Sequence, residues 1–317
     1  VYNIPNNFPA RLKMKKRLLI ILIIVIFTAG LGILLYPLVS SIVNNINDRS
    51  EARQKQMEVE KMDSDRINDL FADAESYNSS LTDTVVLTDP FDIDSYEKIG
   101  AHYEETFDID GNGFIGYIDI PSIDVYLPIY HGTSDEVLKK GAGHLNNTSL
   151  PIGGFGTHSV ISAHSAYPSK TLFDYLLDMK EGDLFYIHVL DRVLEYRVDQ
   201  IKTVLPNDVN DLYVVKGKDY VTLMTCTPYT VNTHRLLVRG ERVPDDPDIV
   251  VEDDGSKSVN KTVKAVNNGR DSMYVLGYKL SYVTIIIGIG VFLLVVAAAV
   301  VLAVRRGRSR KNKGGES

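Results

Sequence analysis

The chain contains a single thiol, Cys226, which closes the β-patterned string DYVTLMTC. Arg235 opens the next such string, RLLVRGERV, and His164 closes an earlier one, HSVISAH, where loop residues begin. These three types can together transfer an acyl group. A free thiol is mostly protonated at neutral pH, so it needs a lowered pKa or a nearby base to act as a nucleophile. An imidazole carries the proton, and a guanidinium holds the oxyanion that develops when a carbonyl is attacked. Each residue also has a plainer reading. A lone cysteine is most often a small core hydrophobe, and seven histidines and 34 Lys+Arg make any one of them unremarkable. Residue types and spacing leave both readings open.

Strand signals dominate from Gly116 to about Val243. The string GYIDIPSIDVYLPIY alternates, with Pro121 and Pro128 suited to edge or bulged strands. LFYIHVLDRVLEYRVDQIKTVL reads as a hairpin turning near Leu190-Asp191-Arg192. Pro168 to Phe173 reads as opening a short helix that ends by Glu181-Gly182-Asp183. Many strands, few helices and no βαβ alternation predict a mainly β fold, a closed barrel with short helices over 95–245. Strand ends then meet at the barrel mouth, where all three reactive groups lie. Residues 44–81 lack Gly and Pro and repeat apolar positions, which predicts a helical approach segment. Residues 82–94, centred on Asp89-Pro90-Phe91, read as a loop.

The net charge of −7 averages unlike regions. Residues 1–17 carry five cations and no acid, and residues 305–317 carry six cations against Glu316, which leaves −17 for the stretch between. No charged residue interrupts 18–43 or 282–304. Each run is long enough to cross a hydrocarbon core of about 30 Å, although a cleaved signal peptide is an alternative reading of the first. Basic flanks stay cytoplasmic, so the expectation is a cell-membrane protein that crosses twice, both termini inside and the acidic middle outside. Residues 246–281 then read as an acidic linker. The basic tails suit anionic lipid rather than nucleic acid. With one cysteine no internal disulfide can form, though an exterior setting would permit one. The missing initiator Met suggests a fragment or processed form.

The string TLMTC followed by THRLLVRG resembles the active-site signature of sortases, the cysteine transpeptidases of Gram-positive cell surfaces. The stretch GAGHLNNTSLPIGGFGTHSVISAHSAYPSKTLFDYL resembles the catalytic-histidine region of the same family. Asp89-Pro90-Phe91 resembles the lid of class C, pilin-polymerising sortases, and the two apolar runs match their layout. The resemblance implies Cys226 as nucleophile, His164 as acid/base, Arg235 as oxyanion or substrate clamp, and Thr222, Leu223 and Thr225 as support. It implies pilin partners bearing an LPXTG-like signal and an acceptor lysine, and no cofactor. Ala163 and Ser165 stand where Gly and Arg are common beside the histidine, and Thr230 where Gly is usual. A wall-anchoring sortase that uses a peptidoglycan precursor, or a non-catalytic binding module with an inert Cys226, are the alternatives.

Asp108, Asp110, Asn112 and Asp119 satisfy much of a calcium-loop spacing, with Gly113 at its sixth position. The following residues alternate like a strand instead of a helix, so DGNG is read as a turn into the first barrel strand. His131, His144 and His158 lack a partner at metal spacing and are expected to be structural or exposed.

Overall fold

The computed structural model describes residues 8–81, 89, 91, 103, 105–167, 170–244, 272–275, 278–281, 288 and 290. Eight strands close into a barrel: β1 (Phe114–Ile120), β2 (Val125–His131), β3 (Ala142–His144), β4 (Thr157–Ser162), β5 (Leu184–Val189), β6 (Arg192–Val204), β7 (Asp219–Thr227) and β8 (His234–Arg242). Around the barrel they run β1-β2-β3-β4-β7-β8-β6-β5, and β5 pairs back onto β1. The strands span 114–242, inside the expected barrel limits. The hairpin expected near Leu190-Asp191-Arg192 joins β5 to β6.

Two pairings are parallel, β2 with β3 and β4 with β7. Of the two prolines expected at edge or bulged positions, Pro121 falls between strands, whereas Pro128 keeps a local edge place on β2. Pro121 opens a one-turn 3-10 segment between β1 and β2. Pro128 lies within β2 just before its ladder with β3, which begins at Ile129, so on that side its missing N–H leaves no bond unmade.

A 52-residue helix, α1 (Phe8–Val59), runs through the expected boundary at 43/44 without a break. Its C-terminal part is bolted to the barrel side. Ser41 bonds Thr171 at 2.7 Å, Asp48 pairs with Lys170 at 2.7 Å, and Gln56 accepts from the Tyr117 hydroxyl at 2.6 Å. A turn capped by Asp63 leads into α2 (Ser64–Ser80), which buries Phe71 and Ala74. The approach segment is therefore two helices packed on the barrel. The first expected span, 18–43, falls within α1, with Leu22, Ile26, Phe27 and Ile33 exposed. Among the described residues, no helix is long and apolar enough to cross a membrane. The second expected span lies outside the described residues apart from Gly288 and Gly290.

Two further expectations are corrected. Over residues 170–183 no α-helix forms. Asp174 instead accepts from the Ala166 and Leu172 amides, which holds an open loop that ends in a 3-10 turn at Leu176–Asp178. The expected linker holds a two-stranded ladder, β9 (Ser272–Val275) with β10 (Tyr278–Ser281). A short helix, α3 (Asp135–Lys140), is capped by the Ser134 hydroxyl.

The DGNG segment is a turn into β1. Asp108 accepts from the Gly111 and Gly113 amides, and Asp110 accepts from Asn112 and pairs with Lys55 at 2.7 Å. Those carboxylates are occupied by backbone donors and an ammonium, and Asp119 is buried in β1.

Candidate active site

Parallel pairing of β4 with β7 makes both strands deliver their C-terminal ends to the same barrel mouth. Ser162 of β4 is level with Met224 of β7. The Ala163 amide then donates to the Met224 carbonyl at 3.1 Å, which brings His164 alongside the end of β7. In the antiparallel β7–β8 pair, Cys226 sits directly opposite Arg235. The three chemistry-bearing residues are thus placed by three neighbouring strands.

Asp89 and Phe91 cover them. The Arg235 Nε donates to Asp89 Oδ1 at 2.8 Å and its Nη2 to Asp89 Oδ2, a bidentate pair. The Phe91 ring lies 5.0 Å from the Arg235 guanidinium carbon and 5.8 Å from the His164 ring. It also packs on a small cluster of Leu145, Val160, Leu212, Met224 and Leu237. Tyr167 stacks against His164 at 5.9 Å. Pro90 lies outside the described residues. Cys226 and Arg235 each retain only 8% exposure under this cover.

Burial decides the electrostatics. It pushes the Cys226 thiol pKa up, with Arg235 opposing and Asp89 adding to the rise. It also pushes the His164 pKa down, with Asp135 opposing and Lys139 adding to the fall. Both shifts favour the uncharged forms, so the covered site rests as thiol and neutral imidazole.

The signature threonines brace the strands. Thr222 bonds His158 Nε2 at 2.7 Å, Thr225 donates to the Ala163 carbonyl at 2.8 Å, and Leu223 is fully buried in the barrel core. His131, His144 and His158 are all buried. His131 has its two ring nitrogens on the Gly113 and Thr106 carbonyls. Burial lowers the His144 pKa to about 3 and the His158 pKa to about 4. Burial thus favours the neutral form of His144 and His158, which hydrogen-bond Tyr103 and Thr222. No motif in the sequence marks Tyr167 or Asp174 as part of the site. An aromatic three residues beyond a candidate histidine was the only available signal for the first.

At the other end of the barrel, a cavity of about 510 Å³ is lined by Arg192, Asp219, Arg242 and the exposed Phe155. Asp219 and Arg242 begin β7 and end β8, so this cavity lies a strand length away from Cys226.

Two loops at the site carry backbone strain. Ala166 (φ 62°) and Thr230 (φ 64°) both adopt the left-handed region, which side chains with a Cβ disfavour. Replacing Thr230 by Gly removes a strain of about 1–3 kcal/mol and adds unfolded-state entropy of about 0.4–1 kcal/mol. Thr230→Gly is therefore expected to stabilise the protein by about 1 kcal/mol, read as a higher denaturant midpoint at an unchanged slope. A lower midpoint would show that the Thr230 side chain does more than its strain costs.

Residues 118–243 match the sortase domain. Sortase C-1 of Streptococcus pneumoniae is 45% identical, with 62% of this chain and 100% of that chain covered and a TM-score of 0.58. A pilus-related sortase C of Group B Streptococcus is 48% identical, with 62% and 96% covered and a TM-score of 0.55. Sortase A of Bacillus anthracis is 27% identical over 233 residues, 72% of this chain and 96% of that protein.

Proposed function

Because the chain belongs to the sortase family of cysteine transpeptidases, we propose that it is a class C member that polymerises pilins. The observation that carries this reading is the cover itself. Asp89 occupies the guanidinium of Arg235, and Phe91 lies over both Arg235 and His164. A lid of this kind suits an enzyme whose two substrates are both folded proteins, since it keeps the thiol from water and adventitious acceptors until a substrate displaces it. The naming of the Group B Streptococcus relative as pilus-related supports the same reading.

In the proposed reaction the Cys226 thiol passes its proton to His164 as its sulfur attacks the threonine carbonyl of an LPXTG-like sorting signal. Arg235, released from Asp89, holds the oxyanion, as its place opposite Cys226 allows. His164 protonates the departing amine, and a thioester remains. A lysine amine of the next pilin then attacks the thioester while His164 takes its proton. An isopeptide bond forms as the thioester C–S bond breaks, and the departing Cys226 sulfur takes that proton from His164. The route passes through no metal or cofactor.

We place the enzyme at the outer face of the cell membrane. The support is the sequence: two charge-free runs, 18–43 and 282–304, each flanked on its outer end by a basic cluster. Substrates tethered to the same membrane would then meet the barrel mouth at high effective concentration.

The test is the chemical identity of the product. With a pilin-like subunit bearing an LPXTG-like C-terminal signal and surface lysines, the protein is expected to give a ladder of covalent multimers. Mass spectrometry of its rungs should find threonine carbonyl joined to lysine Nζ. Monomer linked only to peptidoglycan-type amines would favour the wall-anchoring alternative, and recovery of unmodified subunit alone would overturn the transpeptidase reading.

A further inference from the structure

The loop that carries His164 is tied to the strand that carries Cys226 by side chains which the proposed reaction leaves without a role. On one flank of the histidine, Thr225 Oγ1 donates to the Ala163 carbonyl at 2.8 Å. On the other, Ser165 Oγ donates to the carbonyl of Cys226 itself, also at 2.8 Å. The loop beyond is closed by the Phe173 amide, which donates to the His164 carbonyl at 3.0 Å. Asp174 holds that closure from inside. Its two carboxylate oxygens accept from the Ala166 amide at 2.9 Å and the Leu172 amide at 3.0 Å. The Tyr229 hydroxyl, three residues beyond Cys226 on the loop leaving β7, lies within electrostatic reach of the same carboxylate.

We propose that Ser165 and Asp174 are positioning residues that fix the His164 imidazole against the Cys226 thiol. Ser165 fixes the adjoining backbone directly to the nucleophile. Asp174 gives the loop its shape through the Ala166 and Leu172 amides. Ser165 stands where the family commonly has Arg, so the direct link is a feature of this chain's own sequence. The placement matters because proton transfer falls steeply with misalignment, and a displacement of about 1 Å costs on the order of a hundredfold in rate. Ser165 lies at the mouth and is only partly buried, so its hydroxyl can be removed without opening the core.

The inference rests on His164 as acid/base and is tested beside it. Turnover of a sorting-signal peptide is measured for the full chain and for four variants, with melting temperature recorded for each. His164→Ala is expected to abolish turnover; if it does not, the functional reading fails first. With that established, Ser165→Ala should lower kcat about tenfold with KM within about twofold and melting unchanged. Ser165→Thr, which keeps the hydroxyl, should restore most of the loss. Asp174→Asn keeps the shape but loses one acceptor oxygen, and should lower kcat by about tenfold or more in the folded fraction. Wild-type kcat in Ser165→Ala, a Ser165→Thr variant no better than alanine, or an Asp174→Asn loss no larger than its loss of folded protein would each overturn the proposal while leaving His164 in place.

Discussion

Cys226→Ala is expected to fold as the wild type does and to lose transpeptidation by at least about a thousandfold, the scale on which removing a covalent nucleophile acts. The two readings of a lone cysteine separate on this variant. As an inert core residue, Cys226 would contribute packing, and its loss would lower stability by about 1 kcal/mol and leave activity alone. As the nucleophile, its loss removes the only atom able to hold the acyl group. The structure favours the second outcome on placement. Cys226 is the penultimate residue of β7, at the mouth end, opposite a buried guanidinium. A core thiol has no need of a neighbouring cation, and Arg235 is kept charged at that place by its pair with Asp89. Peptide turnover and the mass of an acyl-enzyme trapped on wild type but absent from Cys226→Ala check the prediction, together with equal melting of the two proteins. Retained turnover in the alanine variant would return Cys226 to the core.

Much of this site could be read from the chain because it lies at strand ends. TLMTC and RLLVRG are short β-patterned strings broken at Cys226 and begun at Arg235, and antiparallel neighbours with a tight connection must bring those ends together. His164 was placed by its string and its resemblance, since the spacing to Cys226 says nothing about a parallel pair. The β4–β7 ladder is a crossover contact between segments about sixty residues apart, and no local pattern encodes it. The failures have local causes. Pro-Ser-Lys-Thr at 168–171 reads as a helix start, but the Asp174 carboxylate bonds Ala166 and Leu172 amides and stabilises a loop instead. Residues 272–281 were read by composition within an acidic linker, and their short ladder is too brief to show period-two alternation. The limit expected at 43/44 follows hydropathy, whereas a helix follows backbone bonding and continues wherever residues tolerate it, as α1 does from Phe8 to Val59.

Asp89→Ala is expected to speed alkylation of Cys226 about tenfold near neutral pH, and to lower the pH at which labelling reaches half its maximum. Three contributions act on the thiol in the covered site. Burial raises its pKa, Arg235 lowers it, and Asp89 raises it again. Removing Asp89 deletes a raising contribution and leaves the Arg235 charge unneutralised next to the sulfur, so the thiol pKa falls. Below that pKa the thiolate fraction changes about tenfold per unit, and the thiolate is the form that reacts. Loss of the bidentate pair also frees the segment bearing Phe91, which admits water and reduces the burial contribution in the same direction. Phe91→Ala separates the two effects. It uncovers the sulfur while keeping Asp89 on Arg235, so it should raise the labelling rate with a smaller shift of midpoint. The measurement is the rate of iodoacetamide labelling across pH, with Arg235→Ala as the opposing control. Without its guanidinium the thiol loses the one contribution that favours thiolate, and its midpoint should rise. Equal midpoints in wild type, Asp89→Ala and Arg235→Ala would mean that neither charge governs the sulfur, and the lid would then act by steric cover alone.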